Sequence, residues 1–182
     1  SRAVRSATAE RSVGLGSLGF HAYLQKHNMP IDGVMAKLTN KDIFAHINKE
    51  CARADNILVL KRGACPDASE FGIQRSFSHH MAIAPNASSS LIMGNTSPSV
   101  EPYRANVFRQ DTLSGAFVYR NRFLSKRLAE LGLDDDDTWA SIIANDGSVQ
   151  HLGIPEDVKE VFKTAMEICL LYTSPSPRDG LL

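Results

Sequence analysis

Between His80 and Arg104 the chain reads His-Met-Ala-Ile-Ala-Pro-Asn-Ala-Ser-Ser-Ser-Leu-Ile-Met-Gly-Asn-Thr-Ser-Pro-Ser-Val-Glu-Pro-Tyr-Arg, and the chemistry this run offers is anion capture. A short apolar stretch at residues 81–84 predicts a buried strand, Pro85 and Asn86 a break, and Ser88, Ser89 and Ser90 the cap of a helix beginning at Leu91. The first amides of a helix have no intrahelical partner and carry partial positive charge, and serine hydroxyls add donors without bulk. A phosphate fits such a place. An ordinary serine-rich helix cap has the same sequence, and the local physics alone leaves the two readings side by side.

Other candidate chemistries are weaker. Gly14-Leu15-Gly16-Ser17-Leu18-Gly19 matches the dinucleotide fingerprint, with Asp32 downstream. The context fails, because residues 7–11 make a poor strand and no second strand completes a βαβ unit. Close backbone packing explains the glycines better. His79 and His80 on a strand point to opposite faces and cannot jointly chelate an ion. The four aspartates at 134–137 diverge around a turn, so a solvated helix start is favoured over a metal site. Cys65 reads as a small buried hydrophobe rather than a reactive thiol. No Gly-x-Ser-x-Gly elbow surrounds the serines, which argues against a hydrolase.

The elements that would position the serine turn are readable from periodicity. Residues 13–27 predict a buried helix with a loosened start, and residues 39–62 the clearest helix, with Thr39 as cap and Ile43, Ile47, Cys51, Ala54 and Leu58 inward. Gly63 stops it. Residues 107–119 predict two strands around 112–115. Residues 121–131 predict a helix with Leu124, Leu128 and Leu131 inward, and residues 155–168 a last helix with Pro155 at its first position.

The 182 residues are 43% apolar and 22% charged, with 20 basic and 20 acidic side chains. That is the size of one domain with a sizeable core, and it lacks the basic excess that would hold a polynucleotide. No apolar run approaches a membrane span, and the N-terminal residues lack the core of a signal peptide, so the expected location is the cytoplasm. Cys51, Cys65 and Cys169 show neither zinc nor disulfide spacing. The acceptor triplets at Asn86 and Asn95 therefore carry no expectation of glycosylation. From Cys169 onward the amphipathic pattern breaks, and residues 169–182 resemble an adapter-like translation, a non-native tail outside a domain of residues 1–168.

Several ordered blocks resemble the large (alpha) subunit of class I ribonucleotide reductase. They are Arg11-Ser-Val-Gly-Leu-Gly-Ser-Leu-Gly-Phe-His, Arg62-Gly-Ala-Cys-Pro-Asp, residues 80–104, Arg109-Gln-Asp-Thr-Leu-Ser-Gly and Asn145-Asp-Gly-Ser-Val-Gln-His-Leu. The resemblance runs from about residue 5 to 168. It implies an α/β fold, a helix-rich part of the ten-stranded catalytic barrel toward its C-terminal side. It further implies that Pro85, Asn86, Ala87, Ser88 and Ser89 bind the diphosphate of a ribonucleoside diphosphate, which is reduced to the deoxyribonucleotide. Many relatives carry an acid at the position of Ala87, so here that residue is expected to contribute only its backbone.

The family's Asn-x-Cys-x-Glu radical cysteine, its reducing cysteine pair and its tyrosine relay have no match in the chain, so no catalytic and no metal-binding residue is assigned. The parent protein is expected to rely on a metal-radical centre in a small (beta) subunit, on ATP and dNTP effectors bound upstream, and on homodimerisation of the large subunit. Two alternatives stand beside this: a stand-alone, non-catalytic nucleotide- or phosphate-binding module, and a fragment of an adenosylcobalamin-dependent class II reductase, whose loop is richer in Thr and Gly.

Overall fold

The computed structural model describes residues 1–112 and 115–168. The tail expected at 169–182 and the Leu113-Ser114 step of the Arg109 block lie outside them. In chain order the elements are α1 (Arg2–Glu10), α2 (Phe20–Lys26), α3 (Val34–Arg62), α4 (Pro66–Glu70), α5 (Ala87–Ile92), β1 (Val107–Thr112), β2 (Gly115–Arg120), α6 (Arg122–Glu130), α7 (Asp136–Ala144) and α8 (Glu156–Val161). Residues 1–17 and 38–85 form one unit, and residues 18–37 with the described residues of 86–168 form another.

In the first unit, the glycine-rich segment after α1 runs extended rather than helical. The Val13 amide donates to the His79 carbonyl at 3.0 Å, Leu15 to His80 at 2.9 Å and Ala82 back to Leu15 at 3.2 Å, closing a parallel bridge between Leu15 and Met81. Glycine at position 16 permits the approach, and glycine at 14 eases it. A Cβ on Gly14 would lie 3.0 Å from the Ala82 Cβ, and one on Gly16 would lie 2.5 Å from the Ala82 carbonyl oxygen. This extended pairing is why the expected helix at 13–27 is confined to α2. Residues 81–84 are exposed rather than a buried strand, because they pair with this one short segment and make a single bridge. Gly16→Ala is expected to destabilise this unit by about 1–3 kcal/mol, since the obstacle is backbone that must shift. Chemical denaturation of the variant checks it.

The 29-residue α3 begins upstream of the expected Thr39 cap. Ile43, Ile47, Cys51 and Leu58 are half-buried and Ala54 is exposed, whereas the buried residue of its later turns is Asp55. The Asp55 carboxylate accepts the Ser76 amide at 2.6 Å and lies 3.2 Å from His80 Nε2. His79, on the opposite face, is exposed beside the hydroxyls of Ser12 and Ser78. The two histidines therefore have separate structural roles. Cys65 is fully buried at the N-cap of α4.

The second unit is built on a core of Val107, Leu124, Leu128, Trp139, Ile142, Val149, Val158 and Phe162. The two strands expected around 112–115 are β1 and β2, which pair antiparallel with Val107 opposite Arg120 and Thr112 opposite Gly115. Asn121 caps α6 by accepting the amides of Phe123 and Leu124. Leu131, expected inward, is the exposed C-cap of that helix. The aspartate run is structural: Asp134 accepts Trp139 Nε1 and the Ser125 hydroxyl, at 2.7 and 2.8 Å. Asp135 caps α7, and Asp136 pairs with Arg120. Among the described residues no group of three or more His, Cys, Asp or Glu could hold a metal ion. Helix α8 stops at Val161, short of the expected 168, where the Ala165 amide turns to the Tyr103 carbonyl at 2.8 Å.

Candidate functional site: the serine turn at the start of α5

Helix α5 starts at Ala87 rather than Leu91, so the three serines lie inside it. Asn86 precedes it in the left-handed region, φ 52° and ψ 30°, without capping through its side chain. Asparagine tolerates that conformation better than most residues. Pro85 is exposed and has no amide to donate. The first amide to close an intrahelical bond is that of Ser90, to the Asn86 carbonyl at 2.9 Å. The amides of Ala87, Ser88 and Ser89 come before it, at the end where a helix leaves its donors unpaired.

The hydroxyls divide in two. Ser90 is buried and donates to the Ala87 carbonyl at 2.8 Å. Ser88 and Ser89 are exposed. The structure thus brings three amides and two hydroxyls together at one helix start, with Ala87 offering a methyl and no charge. With only six residues in α5, the aimed N–H and O–H groups matter more than any macrodipole. Such a set can hold a phosphate oxygen by hydrogen bonds alone. Beside it lies a cavity of about 770 Å³ lined by Ala87, Leu91, Tyr103, Arg104, Phe108 and Met166, among others.

The competing phosphate turn is already occupied. At the start of α2 the Gly19 amide donates to the Ser97 carbonyl at 2.8 Å, and that of Phe20 to Ser99 at 3.4 Å. The Ala22 amide meets the Ser97 hydroxyl at 3.1 Å. Gly19 has φ +84°, and a Cβ there would lie 2.6 Å from the Thr96 hydroxyl oxygen. Asp32 pairs with Lys163 at 3.1 Å. The amides of Gly19, Phe20 and Ala22 are thus spent on the 97–99 segment rather than offered to a dinucleotide.

Sequence reading missed two residues behind α5. His21 is buried, and its Nδ1 accepts the Tyr103 amide at 2.9 Å. Burial lowers its pKa from 6.5 to about 4, against a smaller opposing pull from a backbone hydrogen bond to Val161. Burial likewise raises the half-buried Tyr103 hydroxyl above its ordinary value. No local signal announces the pair, whose members stand 82 positions apart.

Comparison with known proteins supplies the context. The family model described as ribonucleotide reductase, barrel domain, matches residues 68–172, more than half of the chain. The ribonucleoside-diphosphate reductase large subunit of Invertebrate iridescent virus 3 is 51% identical over 172 residues, covering 92% of this chain and 27% of that protein. The large subunit of Invertebrate iridescent virus 6 is 48% identical, with 92% and 18% covered. In the solved structures, the class Id ribonucleotide reductase alpha subunit of Actinobacillus ureae superposes with a TM-score of 0.80 at 41% identity, covering 92% of this chain and 30% of that one. The chain thus spans 18% to 30% of the length of these relatives. Its helices and small sheet are part of a larger barrel architecture, and the chain belongs to the ribonucleotide reductase large-subunit family through the barrel domain.

Proposed function

We propose that the chain is a portion of a ribonucleoside-diphosphate reductase large subunit, an enzyme that reduces ribonucleoside diphosphates to 2'-deoxyribonucleoside diphosphates by radical chemistry. In this portion, Pro85, Asn86, Ala87, Ser88 and Ser89 hold the substrate's diphosphate. The observation that carries this reading is the exposure of the Ser88 and Ser89 hydroxyls beside the leading amides of α5. Pro85 ends the extended segment, Asn86 makes the left-handed step that aims the helix, and the three amides with the two hydroxyls surround the phosphate oxygens.

The radical chemistry belongs to cysteines elsewhere in the parent protein, fed by the metal-radical centre of a small subunit and regulated by ATP and dNTP effectors at upstream sites. The parent large subunit works as a homodimer in the cytoplasm. Among the described residues no helix is long and apolar enough to cross a membrane.

Extending the reading frame upstream of Ser1 tests the proposal directly. A frame carrying Asn-x-Cys-x-Glu, whose product reduces nucleoside diphosphates when mixed with a small subunit, is the expected result; a native start codon near Ser1 contradicts it. Ala87→Ser is expected to leave diphosphate affinity nearly unchanged in that protein, because only the amide of residue 87 faces the ligand. Isothermal titration checks it.

A further inference from the structure

We propose that Tyr103, held in place by His21, is a positioning residue for the diphosphate turn, setting substrate affinity through the backbone that returns from α5. The inference rests on the assignment of the diphosphate to residues 85–89. A helix of six residues does not sustain itself in water, and α5 buries only Ser90. Ile92 and Met93 at its far end are exposed. Apolar burial therefore does not hold it, and its first turn has no side-chain cap.

What holds it is a chain of hydrogen bonds at its C-terminal end. The Thr96 amide donates to the Ser90 carbonyl at 3.1 Å, and the Asn95 amide to the Leu91 carbonyl at 3.2 Å. Tyr103 closes this return by donating its hydroxyl to the Asn95 carbonyl at 3.0 Å. Tyr103 is itself fixed by its amide on His21 Nδ1, and the two rings stand 5.6 Å apart. An acceptor at Nδ1 requires a neutral ring with its proton on Nε2. His21 is therefore a fixed acceptor at neutral pH, and Tyr103 transmits that fixity to the backbone of α5. A turn ordered in advance spares the ligand the entropy of ordering it.

The test uses the full-length large subunit that carries this segment, assembled with its small subunit, and reads KM and kcat for a nucleoside diphosphate together with its Kd by direct binding. Tyr103→Phe removes one hydroxyl and keeps the ring. It is expected to raise KM and Kd about threefold to tenfold, the worth of one neutral hydrogen bond, with kcat little changed. His21→Leu is expected to do the same, and His21→Asn, whose Oδ1 can stand where Nδ1 stood, to restore affinity. The inference is overturned if Tyr103→Phe leaves KM and Kd unchanged, if it lowers kcat alone, or if His21→Asn behaves as His21→Leu in a protein whose melting temperature is retained. Ser88→Ala and Ser89→Ala run in parallel. If they too leave affinity unchanged, the diphosphate assignment has failed, whereas weakened serine variants with a silent Tyr103→Phe overturn only the positioning role.

Discussion

Alanine at Ser88 or at Ser89 is expected to weaken nucleoside diphosphate binding about tenfold to a hundredfold in the full-length subunit. In the proposed assignment each exposed hydroxyl donates to a phosphate oxygen bearing charge, and a hydrogen bond to a charged group is worth roughly 1.5–3 kcal/mol, with about 1.4 kcal/mol per factor of ten. Ser90 provides the contrast within the same helix. Its hydroxyl is spent on the Ala87 carbonyl at 2.8 Å, so Ser90→Ala is expected to act on the stability of α5 and not through a lost ligand contact. Inorganic pyrophosphate competing against the nucleotide reports on this turn alone. A loss of affinity shared by pyrophosphate and nucleoside diphosphate locates the effect at the phosphates.

The second large effect is a loss of stability in acid, centred on His21. Its ring titrates near 6.5 when unfolded and at about 4 when buried. Above 6.5 both states are neutral. As pH falls from 6.5 towards 4 the unfolded chain takes up a proton that the folded chain refuses, so folding stability declines across that window. Below about 4 the whole difference is lost, on the order of 3 kcal/mol at 1.36 kcal/mol per unit. Protonation would also remove the acceptor for the Tyr103 amide, so the decline and the loosening of α5 should coincide. Denaturant unfolding of the chain at pH 7 and at pH 4.5, beside His21→Asn, isolates the ring from the carboxylates that titrate in the same range. The parent should lose more stability than the variant, and equal losses would remove His21 from the account.

The sequence carried the parts of the site that depend on local chemistry. A proline, an asparagine and three serines between an apolar stretch and a helix are a local pattern, and the break that pattern predicts at Pro85 and Asn86 is where the chain turns into α5. The helix start was misplaced because Ser88 and Ser89 serve equally as caps and as first-turn residues, and the choice is made by the left-handed Asn86. The strand pair β1 and β2 and the helix α6 that follows it were legible for the same local reason. Long-range effects were not. The glycine segment after α1 reads as helix by its Leu and Phe spacing, yet the pairing of Leu15 with Met81 keeps it extended. The Asp55 carboxylate buried against Ser76 and His80 inverts the apolar stripe expected of α3. The His21 support for Tyr103 spans 82 positions, and no window of sequence contains both.

The central claim, that this segment holds a substrate diphosphate by the start of α5, is tested most directly by a crystal structure of the full-length subunit with a ribonucleoside diphosphate bound. The account predicts phosphate oxygens within hydrogen-bond distance, about 2.7–3.2 Å, of the amides of Ala87, Ser88 and Ser89 and of the hydroxyls of Ser88 and Ser89. A diphosphate seated elsewhere, with those two hydroxyls facing only water, would contradict it.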